Sequence, residues 1–219
     1  MQAKDLSLTH TIRSPKTASE NAPALILLHG YGSNEEDLFS FASYLPDKLF
    51  IISVRAPYEL MPSGYAWYAI HFDAHDGKWS DDKQALVSRD AIVQFIDEAV
   101  EAYDLDANNI SLLGFSQGTV LSFSVALSFP EKVKQVIALS GYINEKLIAF
   151  PSQNDAYAHL SIYVSHGSVD QVIPVEWARK TAPFLEKHGI DHVYEEFPVG
   201  HGVAPDNFNS FLKWLLSKL

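Results

Sequence analysis

The 219-residue sequence predicts an α/β fold, a mostly parallel central sheet with helices on both faces. Two observations carry that reading. Short runs apolar on both faces recur along the chain, as strands of a covered parallel sheet require, and segments of helical period separate them. The composition, 47% hydrophobic with no linker or internal repeat, supplies enough apolar surface for one core and a single domain over 1–219.

The elements come in this order. "LSLTHTI" alternates and reads as an edge strand, and the polar "SPKTASENAP" after it as a loop. "ALILL" (24–28) is the first buried strand, followed by a helix over 35–45 and a strand "FIISV" (50–54). Over 83–103 the apolar set Ile92, Ile96, Ala99 and Tyr103 steps by three and four, one stripe for the sheet. Then come "ISLLGF" (110–115), a helix over 117–129, "QVIAL" (135–139), "SIYVS" (161–165), a helix over 175–188, "VYEEF" (193–197) and a helix over 207–219.

A formal net charge of −11 opposes binding to nucleic acid or an anionic membrane surface. With no cysteine, disulfides, thiolate metal sites and a cysteine nucleophile are excluded. The first residues lack the apolar core of a signal peptide, and nowhere do about 18 apolar residues run together. The expectation is a cytoplasmic protein without a membrane span, a monomer or homodimer.

"GFSQG" sets Ser116 between a strand and a helix, with Gly114 and Gly118 two residues away on either side. A sharp strand-to-helix turn crowds those two places, and glycine relieves the crowding while the hydroxyl is pushed up into the open. Such a turn presents the serine as a nucleophile at a helix N-terminus, where free N–H groups favour negative charge. A hydroxyl needs a base to take its proton and a carboxylate to orient that base. Both should come later in the chain in the order carboxylate, then histidine, in loops at the carboxyl ends of strands. "SHGSVDQVIP" offers Asp170 and "PVGHGV" offers His201. His10, His159, His188 and His192 lie on strands or before them, and His166 precedes Asp170 too closely, so it reads as bonded to local backbone.

Acyl transfer also needs donors for a developing oxyanion. The backbone N–H of Gln117 comes directly after the serine, and the Gly-rich turn in "LLHGYGSNEEDL" supplies the backbone N–H of Tyr31, with His29 tying that loop down. In "HFDAHD", His71, Asp73 and His75 share a face if the segment is extended, but no second ligand cluster exists elsewhere; the stretch reads as a solvated polar loop, and neither metal nor cofactor is expected.

Through "LLHGYG", "RAPYELMPSGYAWY", "GFSQG", "HGSVDQVIP" and "GHGV", in that order, the chain resembles the carboxylesterase and phospholipase family of small α/β-hydrolases, which includes the acyl-protein thioesterases. The resemblance runs from about residue 24 to the C-terminus. It implies a Ser116, Asp170 and His201 triad, an oxyanion hole from Tyr31 and Gln117, and an α/β-hydrolase fold without a large cap domain.

Tyr31, Phe39, Tyr65, Trp67, Phe72, Tyr142 and Val172 sit in or beside loops that reach the serine, and together they suggest an apolar wall for an acyl chain. The reading is a serine hydrolase of carboxylic esters, thioesters included, with short to medium acyl chains and small-molecule or acylated substrates. A peptidase or lactone hydrolase using the same residues, or a ligand-binding scaffold without catalysis, are the rival readings.

Overall fold

The computed structural model describes residues 2–16, 21–73, 77–153 and 155–219, with backbone alone at 72, 73 and 77–79. Among the described residues, seven strands form the main sheet: β1 (His10–Arg13), β2 (Ala22–Leu28), β3 (Phe50–Val54), β8 (Leu105–Phe115), β9 (Gln135–Leu139), β10 (Ser161–Gly167) and β11 (Asp191–Phe197). Their order is β1-β3-β2-β8-β9-β10-β11. β1 is antiparallel to β3 and every other pair is parallel. β8 lies in the middle of the sheet, so a residue just past its end stands at the centre of the carboxyl edge.

Alternation along each strand builds a core on both faces. In β2, Ala24, Ile26 and Leu28 point into one cluster and Leu25 and Leu27 into the other, all fully buried. In β9, Val136 and Ala138 oppose Ile137 and Leu139 in the same way. The first cluster is closed by α2 (Asp82–Tyr103) and α3 (Gln117–Ser128), the second by α1 (Glu35–Phe39) and α6 (Pro205–Lys218). In α2, Ile92, Ile96, Ala99 and Tyr103 are all buried, as their spacing predicts, and Asp81 caps the helix by accepting from the N–H groups of Lys83 and Gln84. α3 is buried on every side, from Gln117 to Leu127, its polar Gln117, Thr119, Ser122 and Ser124 included.

Three differences from the sequence reading have physical causes. The helix expected over 35–45 ends at Phe39 and tightens into a 3₁₀ turn (Ser40–Ser43) ahead of Pro46. The helix expected over 175–188 is two, α4 (Val175–Ala178) and α5 (Thr181–Lys187). Pro183 lacks the N–H for a bond one turn back, so it is accommodated only in the first turn of a new helix. Finally, the segment between β3 and α2, to which the sequence assigns no regular element and a polar loop at "HFDAHD", holds two antiparallel strand pairs, β4 (Tyr58–Met61) with β5 (Gly64–Ala66) and β6 (Ile70–Asp73) with β7 (Gly77–Ser80). Residues 71–73 of "HFDAHD" therefore lie in β6 and not in a loop, and residues 74–76 lie outside the described residues. No described helix is long and apolar enough to cross a membrane.

Candidate active site

Ser116 is the junction between β8 and α3, with φ +53° and ψ −114°. A non-glycine residue there is strained, and the surroundings hold it. Its N–H donates to Leu139 O of the neighbouring strand (2.9 Å), and its carbonyl accepts from Thr119 and Val120 as the helix begins. The flanking glycines answer to close backbone approach: a Cβ on Gly118 would stand 1.9 Å from Leu28 O, and one on Gly114 2.5 Å from Gly118 O. The Thr119 hydroxyl adds a stitch, 2.7 Å from both Gly114 O and Leu139 O, and accepts from the Leu139 N–H.

Two loops at the same sheet edge bring Asp170 and His201 to this serine. The Ser116 hydroxyl donates to His201 Nε2 at 2.9 Å, and His201 Nδ1–H donates to Asp170 Oδ2 at 2.7 Å. The loops are joined to each other: Ser168 N–H donates to Phe197 O and Val169 N–H to Val199 O. The His201 ring is tilted against Phe115, 5.0 Å between centroids. The Asp170 side chain is fully buried. Burial pushes its carboxyl up, but the bonds from His201 and from the Ile173 and Val172 N–H groups outweigh that and hold it below the usual carboxylate range.

Tyr31 and Gln117 line one cavity with Ser116 and His201. Among the described residues neither N–H donates to a protein acceptor. The Tyr31 loop is fixed by His29, which is buried with Nδ1–H donating to Gly30 O (2.7 Å) and Nε2 accepting from Ala56 N–H (3.1 Å). Burial lowers its pKa, and the two bonds fix the neutral tautomer. Behind the loop, the Arg55 guanidinium grips the buried Glu35 carboxylate with two hydrogen bonds.

The cavity holds about 860 Å³. Of the residues the sequence suggests for an acyl wall, Tyr31, Tyr142 and Val172 line it; Phe39, Tyr65 and Trp67 do not. Phe39 ends α1 and packs on the core beneath that helix. Tyr65 lies under Arg55, whose guanidinium sits 4.7 Å from its ring centroid, and Trp67 is fully buried with its indole N–H on His29 O. The Phe72 side chain, and His75 with its neighbours 74 and 76, lie outside the described residues. The apolar lining comes instead from Tyr68, Ile70, Val120, Ile143, Trp177 and Phe184. The sequence carries no local signal for these; helix packing brings α4 and α5 to the mouth. His166, fully buried, donates from Nε2 to Ile173 O (2.9 Å) as its reading predicts, and the same nitrogen stands 3.3 Å from Asp170 Oδ2. Among the described residues no group of three or more carboxylate and histidine side chains is arranged to hold a metal.

A mostly parallel sheet with a serine on the strained turn after its central strand, and acid and histidine loops at the same edge, defines an α/β-hydrolase. Residues 9–218 match the model of the phospholipase/carboxylesterase family, and the chain belongs to that family as an enzyme of the carboxylesterase type. It is 27% identical to an acyl-protein thioesterase 1 of Cryptococcus neoformans var. neoformans, covering 97% of this chain and 98% of that one. A probable carboxylesterase of Oryza sativa subsp. japonica is 26% identical over 92% of this chain and 80% of the relative. The carboxylesterase of Bacillus cereus superposes with a TM-score of 0.82 at 20% identity, covering 97% of this chain and 95% of that one, which speaks to the fold alone.

Proposed function

We propose that the protein hydrolyses carboxylic esters, thioesters included, of short to medium acyl chains through an acyl-enzyme on Ser116. The observation that carries this reading is the unbroken hydrogen-bond chain from Ser116 Oγ through His201 to Asp170, at 2.9 and 2.7 Å, on the wall of a largely apolar cavity. His201 Nε2 takes the hydroxyl proton as Oγ attacks the carbonyl carbon, and Asp170 stabilises the imidazolium. The carbonyl oxygen becomes an oxyanion facing the N–H groups of Tyr31 and Gln117, which are free of protein acceptors among the described residues. His201 gives the proton to the leaving alcohol or thiol. Water then repeats the sequence on the acyl-enzyme with His201 as base, and the acid and Ser116 are released. The names of the relatives, acyl-protein thioesterase and carboxylesterase, support both classes of leaving group.

The test is turnover of nitrophenyl esters from acetate upwards by the wild type and Ser116→Ala. Loss of a nucleophile that works with its base as a unit costs about 10⁶ in kcat, so the variant should be silent. Equal activity in both proteins refutes the reading.

A further inference from the structure

We infer that Trp67 is a positioning residue that sets the two oxyanion donors in register with one another. The inference rests on the reading above, in which Tyr31, in the loop after β2, and Gln117, the first residue of α3, supply those donors from places far apart in sequence. Trp67 comes directly after β5 and is fully buried, so it touches no substrate. Its backbone N–H donates to Gln117 Oε1 at 2.8 Å, and Gln117 Nε2 donates back to the next residue, Tyr68 O, at 2.7 Å. The residue carrying one donor is thus clamped by both ends of its side chain to residues 67 and 68. The Trp67 indole N–H reaches the other way and donates to His29 O at 2.9 Å, two residues before Tyr31. The His29 and Trp67 rings lie 5.6 Å apart, and Ser88 Oγ–H holds the Trp67 carbonyl from α2. Within β5, Tyr65 is bridged to the same loop, with Gly32 N–H on Tyr65 O (2.8 Å) and Tyr65 N–H on Ser33 O (2.7 Å).

The consequence is a rigid cross-tie. A donor contributes to catalysis only when it meets the oxyanion at hydrogen-bond distance, and complete loss of one costs about 10² to 10³ in kcat. Loosening the His29 end should misplace the Tyr31 N–H without removing it, giving a smaller loss of about 10- to 50-fold. The ground-state ester binds through its acyl chain and leaving group, so KM should move little.

Trp67→Phe removes the indole N–H and keeps most of the ring. Active sites are first counted by stoichiometric labelling with a phosphonate, and kcat per labelled site is then measured on a nitrophenyl ester. The expected result is a kcat per site lowered about 10- to 50-fold, KM within about threefold, and a boronic acid that mimics the tetrahedral state bound more weakly by a similar factor. Should the phenylalanine variant fail to fold, benzothienylalanine incorporated at position 67 replaces the N–H with sulfur at nearly the same shape and takes the same assays. An undiminished kcat per labelled site, or a loss confined to the labelled fraction, overturns the inference and leaves Trp67 a packing residue. A wild type that is neither labelled nor active overturns the proposed function and this inference together, whereas an active wild type with an equally active variant overturns this inference alone.

Discussion

At the scale of single residues, Asp170 carries two duties that pH separates. Its carboxylate accepts from His201 and from two backbone N–H groups, which together outweigh burial and hold its pKa below the ordinary value. A carboxyl with a depressed folded-state pKa contributes stability above its unfolded value, near 4, and that contribution disappears as pH falls through the folded value. Asp170→Asn should therefore be less stable than the wild type from about pH 8 to 5, with the gap closing below about pH 4. Urea midpoints of both proteins across that range check it, and a gap that widens on acidification refutes it. In the proposed mechanism the same variant leaves His201 without its orienting anion, and kcat should fall about 10⁴-fold at neutral pH. Ser116, Asp170 and His201 are legible in the sequence because each role demands a residue type at a defined place: a serine between two glycines, then an acid and a histidine after later strands. The cavity lining is not. Trp67, whose aromatic ring suggests the cavity, is instead a buried hydrogen-bond donor, a difference that only its neighbours decide.

At the scale of elements, the turn between β8 and α3 shows how backbone packing dictates glycine. Alanine at 118 favours the helix by about 1 kcal/mol over glycine. Its Cβ would stand 1.9 Å from the Leu28 carbonyl oxygen, however, and 2.8 Å from His29 O, both backbone atoms that yield only if α3 lifts from β2. Overpacking of this kind costs about 1–3 kcal/mol and at times more, so the clash wins. Gly118→Ala should lower the urea midpoint with little change in slope and slow ester turnover by displacing Ser116; an unchanged midpoint would show that the helix shifts freely. β2, β3, β9, β10 and the 110–115 half of β8 are legible because both of their faces are buried, which makes them apolar runs, whereas the polar, partly exposed 106–109 that begins β8 gives no such signal. The two strand pairs between β3 and α2 are not, since their strands are short and the burial along β4 is slight. The division of α4 from α5 is legible only through Pro183, whose fixed φ and missing N–H the apolar period does not register.

At the scale of the whole molecule, every group in the proposed mechanism stands at the carboxyl edge of one sheet: Tyr31 after β2, Ser116 and Gln117 after β8, Asp170 after β10 and His201 after β11. The covered strands fix that edge, since each is held by buried side chains on both of its faces. The cavity wall is set by the elements packed over the edge, so it is the part in which members of one fold can differ. Here α4 and α5 bring Trp177 and Phe184 to the mouth, with Trp177 edge-on to Tyr142 at 5.1 Å between ring centroids. If the acyl chain runs along this wall, each methylene it buries is worth about 0.8 kcal/mol, or about fourfold in kcat/KM, until the wall ends. Trp177 is 45% exposed, so its truncation should cost the fold little. Trp177→Ala should then leave acetate ester turnover within about twofold of wild type while lowering kcat/KM for hexanoate and octanoate about 10- to 50-fold. Parallel assays across the nitrophenyl series decide it. An equal loss at every length would mean that Trp177 supports the site as a whole, and no loss at any length would mean that the acyl chain does not run along Trp177.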